Sequence, residues 1–76
     1  MQIELTNLGQ SKFNKWLSEV GNPNLNLQAV AFEALDCLVN DLSDGQTPTY
    51  ELGQQFTTTG RAEVFTFRAE DYEIES

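Results

Sequence analysis

The hydrophobic residues change period at Gln46-Thr47-Pro48, and this break constrains the fold more than any other feature of the chain. Before it, large apolar side chains recur at helical spacing. After it, they alternate with Thr, Glu and Gln as half-buried strands require.

Over residues 10–20 the apolar positions are Phe13, Trp16, Leu17 and Val20, an i, i+3, i+4, i+7 stripe that only a helix gathers onto one face. Gly21 follows at the C-cap position. Pro23 interrupts the chain, and Asn24 or Asn26 is placed to cap a second helix over 27–42. Its buried stripe reads Leu27, Val30 or Ala31, Ala34, Leu35, Leu38 and Leu42, with Phe32 and Val39 widening the apolar arc. Asp44-Gly45 ends it.

The opening Gln2-Ile3-Glu4-Leu5 alternates and predicts a short strand. Beyond Pro48, residues Tyr50, Leu52, Phe56, Val64, Phe65, Phe67, Tyr72 and Ile74 predict antiparallel strands. Thr59-Gly60 is the best turn signal, so strands near 54–58 and 62–67 are expected to pair as a hairpin. Gly53 marks a bend or bulge in a strand starting at Tyr50. Residues 68–71 turn into a last strand over 72–75.

The order β-α-α-β-β-β predicts an α+β fold, with two helices packed on one face of a small antiparallel β-sheet in a single compact domain, 1–76. The expected core is Phe13, Trp16, Leu17, Val20, Leu35, Leu38, Phe56, Phe65 and Phe67. A chain of 76 residues buries only about 60% of the surface its unfolded form exposes, enough for one thin core and not for a cleft between two lobes.

The chemistry is sparse. With no His and one Cys, the chain lacks the ligands of a usual zinc site and the base of a Ser-His or Cys-His nucleophile pair. The glycines at 9, 21, 45, 53 and 60 are scattered, so no Gly-rich loop cradles a phosphate. Residues 40–45 read Asn-Asp-Leu-Ser-Asp-Gly, but Leu42 stands where a calcium loop needs an oxygen ligand and no Glu closes it. Neither a metal nor a cofactor is expected, and an enzyme is not. Cys37, among Leu35, Leu38 and Val39, reads as a small buried hydrophobe. The start has no basic region followed by an apolar one, and no apolar run approaches about 18 residues, so the expected location is a reducing cytoplasm, with no membrane contact.

Twelve acids against four bases give a formal net charge of -8, which disfavours direct binding to nucleic acid and favours basic partners. The charge is unevenly placed. Residues 1–32 carry Glu4 and Glu19 against Lys12 and Lys15; residues 33–52 carry Glu33, Asp36, Asp41, Asp44 and Glu51 with no base. On the second helix Glu33, Asp36, Asn40 and Asp44 recur at i, i+3, i+7 and i+11, with Asp41 beside them. A solvated helix face normally mixes signs, since an i,i+4 Glu–Lys pair stabilises by about 0.2–0.5 kcal/mol. The stripe is either a solubility face or a docking face for a basic surface.

At 1.5 Å per residue the stripe spans about 16 Å, along which one DNA strand presents about five phosphates against the helix's three or four charges. It is a partial mimic that needs apolar contacts elsewhere for tight binding. Trp16, Tyr50 and Tyr72 are the aromatic candidates; Trp16 lies on the core stripe, and Tyr72, in the acidic tail, is expected to face a partner. Arg61 and Arg68 are expected to balance Glu63 and Glu70.

The segment Glu51-Leu-Gly-Gln-Gln-Phe-Thr-Thr-Thr-Gly-Arg-Ala-Glu-Val-Phe-Thr-Phe67 resembles a hairpin of small phage and prophage proteins. Size, acidity, a lone Cys and a polarised acidic face together resemble the phage anti-CRISPR proteins, which bind CRISPR-Cas effector complexes and block recognition or cleavage of target DNA. The resemblance implies Glu33, Asp36, Asp41 and Asp44 as a face that covers basic residues on a Cas effector subunit, and it transfers no catalytic residue. The expected function is a non-enzymatic inhibitor, monomer or homodimer, whose partner-binding residues are Glu33, Asp36, Asn40, Asp41, Asp44, Glu51 and Tyr72. Two alternatives are an anti-restriction DNA mimic, against which the neutral first helix speaks, and a phage structural or regulatory module that pairs through a sheet edge.

Overall fold

The computed structural model describes residues 2–75 and has the α+β order expected. Strand β1 spans Gln2–Leu5, helix α1 Asn7–Val20, helix α2 Leu27–Ser43, β2 Thr49–Leu52, β3 Glu63–Thr66 and β4 Tyr72–Glu75. Two 3-10 turns, Gln54–Phe56 and Ala69–Asp71, precede β3 and β4.

Helix α1 begins at Asn7, three residues before the apolar stripe suggests, because Thr6 caps it: its hydroxyl accepts the Gly9 N–H at 3.1 Å. Gly21 closes the helix at φ 61°, where a side chain would be strained. Asn26, of the two candidates, caps α2 by accepting the Ala29 N–H at 3.2 Å. Asp44 takes the C-cap and Gly45 turns the chain at φ 73°.

The strands depart from expectation in two ways. They form two separate antiparallel ribbons, β1 with β4 and β2 with β3, instead of one sheet. In addition, the hairpin partner of β3 is β2, in the register Tyr50↔Phe65 and Leu52↔Glu63, and residues 54–56 are a 3-10 turn. Burial decides the choice of partner: Tyr50 and Leu52 alternate inward with Thr49 and Glu51 outward, whereas a strand over 54–58 would bring only Phe56 to the core. Threonine hydrogen bonds, two local and one long-range, decide the rest. The Thr57 hydroxyl binds the carbonyls of Gln54 and Arg61, and the Thr58 hydroxyl donates to the Val20 carbonyl at 3.0 Å, pinning the loop to the end of α1.

The core consists of Phe13, Leu17 and Val20 from α1, Val30, Ala34 and Leu38 from α2, Tyr50 and Leu52 from β2, and Phe67. Each large apolar side chain buried there stabilises the fold by about 1.5–3 kcal/mol before the entropy of ordering it is subtracted. Four expected core members move outward: Phe56 is exposed, and Trp16, Leu35 and Phe65 are half-buried against the cluster. Leu27, placed on the buried stripe by spacing, is also exposed, because it sits at the first position of α2 beyond the reach of the core. The aromatic rings interlock, with Phe13 edge-on to Phe65 at 5.3 Å and Trp16 edge-on to Tyr50 at 6.2 Å. Among the described residues, no helix is long and apolar enough to cross a membrane.

Candidate docking face and its structural counterpart

Helix α2 buries Val30, Ala34 and Leu38, which fixes what its other side presents. Glu33, Asp36, Asn40 and Asp44 are all exposed, and Asp41 is half-buried at the margin facing β2. Asp41 serves the fold locally, since its Oδ2 accepts the Thr49 N–H at 2.8 Å and holds the start of β2 against the helix. Glu33 does the same on that side, accepting the Tyr50 hydroxyl at 3.1 Å. Asp36, Asn40 and Asp44 have no side-chain hydrogen bond or ion pair among the described residues.

Burial and the neighbouring Glu33 carboxylate push the Tyr50 phenol up to about 12, so the hydroxyl remains a donor at neutral pH. Cys37 lies between these acids. Partial burial, and then the fields of Asp41, Glu33 and Asp36, push its thiol up and keep it protonated, which suits a packing residue and not a nucleophile.

Phe32 does not belong to the buried arc that its spacing predicts. It is 66% exposed, the largest exposure among the large apolar side chains, and lies four residues before Asp36 on the same helical face. The signal was present in the sequence: two steps of about 100° separate Phe32 from Ala34, so both cannot face the core. Along the helix this exposed ring is flanked by the exposed Glu33, Asp36 and Asn40.

The other expected contact residues divide. Glu51 is exposed on β2 and extends the acidic surface from α2. Tyr72 does not stand free: it is half-buried opposite Leu5 in the β1–β4 ribbon and packs on the core. The pairing β1 imposes on the tail takes its ring inward.

A second acidic group, in the turn expected over 68–71, is wholly structural. Asp71 is 1% exposed; its Oδ2 accepts the Arg68 N–H at 2.9 Å, and Lys12 Nζ stands 3.2 Å from its Oδ1 and 2.6 Å from Glu70 Oε1. The Glu70 partner is therefore Lys12, and Arg68 contributes its backbone. Arg61 and Arg68 form no ion pair among the described residues. The Thr6 hydroxyl donates to the Glu70 carbonyl at 2.9 Å, and the Thr6 N–H donates to the Asp71 carbonyl at 3.0 Å. Gly9 is buried where any Cβ would overlap the Asp71 backbone. These contacts join the start of α1 to the turn before β4.

No group of three or more His, Cys, Asp or Glu side chains among the described residues is arranged to hold a metal ion. The chain matches no protein-family model, no curated protein and no solved structure.

Proposed function

We propose that this chain is a non-enzymatic binding protein that seats the α2 face on a basic, nucleic-acid-binding surface of a bacterial complex, with CRISPR-Cas effector subunits as the partner class, and so blocks recognition of target DNA. One observation carries the reading: the ion pairs among the described residues all belong to Lys12, so no acid of α2 is neutralised by a cation there. A bare acidic helix face attracts a basic partner and speeds encounter. Exposed ion pairs contribute only about 0–1 kcal/mol each, so charge alone gives weak binding. Phe32 supplies the apolar anchor that the carboxylates lack, and Asp36, Asn40 and Asp44 form the rim.

The test is capture by tagged protein from the lysate of a bacterium with active CRISPR-Cas and restriction systems, comparing wild type with the Glu33→Gln/Asp36→Asn/Asp44→Asn variant by mass spectrometry. The proposal expects effector subunits with wild type alone, in a salt-sensitive manner. Enrichment of a restriction enzyme instead would support the DNA-mimic alternative, and equal capture by both proteins would refute docking through α2.

A further inference from the structure

Beside the docking face lies a groove of about 220 Å³, lined by Leu25, Val30, Leu52 and Phe56, by Glu33 and Tyr50, and by Asn24 and Asn26. Its apolar floor belongs to the core, and Phe56 is 46% exposed at its wall. Glu33 is the charge it contains, and Glu33 also belongs to the α2 face. Its Oε2 accepts the Tyr50 hydroxyl, which leaves Oε1 without a partner among the described residues.

We propose that this groove takes one arginine side chain of the partner, its alkyl stem against Leu25, Val30 and Leu52, its guanidinium on Glu33 and stacked on Phe56. This rests on the docking reading above and names the contact at its edge. Three features favour arginine. The groove is mostly apolar, with one carboxylate and the neutral Asn24 and Asn26, matching a long stem that ends in a cation. A guanidinium is planar, weakly hydrated and stacks on aromatic faces, whereas the ammonium of lysine holds its water. The carboxylate is oriented by the hydroxyl of the buried Tyr50, whose ring meets Trp16 edge-on. The amide end of α2 disfavours a cation, but Asn26 already occupies the Ala29 N–H through its side chain and the Val30 N–H through its carbonyl, and Glu33 lies about two turns farther on.

The experiment is an amide NMR titration of the full chain with N-acetyl-arginine amide, the uncharged isostere N-acetyl-citrulline amide and a poly-arginine peptide. Arginine amide should shift Ala29, Glu33, Leu52 and Phe56, citrulline amide should not, and Glu33→Gln or Phe56→Ser should abolish the shifts. Each of these two variants should weaken poly-arginine about fivefold, while Tyr50→Phe keeps the fold and loosens the contact less. Equal shifts with citrulline amide, or shifts spread over Asp36 and Asp44 that survive Glu33→Gln, would overturn the groove. A groove untouched while poly-arginine still depends on Asp36 and Asp44 would overturn this inference and leave the docking face intact. Arginine seated in the groove while poly-arginine ignores Asp36 and Asp44 would support the groove and overturn the docking face.

Discussion

Two acidic regions of this molecule use the same side chains to opposite ends. At the turn before β4, the carboxylates of Glu70 and Asp71 are consumed by Lys12 and a backbone N–H, and Asp71 is buried. On α2, Asp36 and Asp44 meet no cation and no donor among the described residues. The difference teaches how to read an acid in a small acidic chain: what matters is whether the fold has neutralised it. Glu33 and Asp41 stand between the two cases, each giving one oxygen to β2 from the outer part of the helix.

The largest expected effect breaks the comparison at its structural end. Asp71→Ala removes the acceptor of the Arg68 N–H and the buried partner of Lys12, and should cost about 3 kcal/mol, a fall in Tm of roughly 12 °C or more by calorimetry. A loss as small as that of a surface substitution would show that the turn is not structural. Gly9→Ala should cost about 2 kcal/mol, since the new methyl forces α1 away from the Asp71 backbone; urea melts measure it, and an unchanged midpoint would contradict the close approach.

A smaller effect sharpens the intermediate case. Tyr50 ionises at about 12 instead of 10.0, so the folded state holds this proton more tightly than the unfolded chain does. Its stabilising contribution is complete below about pH 10 and is lost as pH rises towards 12. Lys12, whose ammonium is held above its usual range by Glu70 and then Asp71, acts in the same direction at alkaline pH. Tyr50→Phe should therefore cost about 1 kcal/mol at neutral pH and flatten the alkaline decline without abolishing it, as chemical melts across that window would show. The smallest effect is at the α2 face: Asp36→Asn/Asp44→Asn should change stability by less than about 0.5 kcal/mol, because neither side chain bonds within the fold. A larger loss would make these acids structural too.

How much of this was legible depends on the range of the forces involved. Helix existence, a cap at Asn24 or Asn26 and the Gly21 and Gly45 stops follow from local spacing and capping, and β1 and β4 from strict alternation. The strand partner of β3 does not. Choosing Thr49–Leu52 over 54–58 depends on which segment reaches a core already formed by the two helices, and on Thr58 bonding to Val20 across the molecule. The same limit hid the Lys12–Asp71 junction, whose members are far apart in sequence. The acidic stripe was legible because it is a property of one helix. The outward direction of Phe32 is legible too, once its angle to Ala34 is set against the full helical wheel.

The central claim is that the α2 acids are left without a cation in the fold in order to be neutralised by a partner. It is tested most directly by measuring the affinity of wild type and of Glu33→Gln/Asp36→Asn/Asp44→Asn for a purified CRISPR-Cas effector complex across a series of salt concentrations. The account predicts tight binding by wild type that weakens steeply with salt, and a variant that folds equally well, binds weakly and has a shallower salt dependence. Identical affinities and identical salt slopes would contradict it.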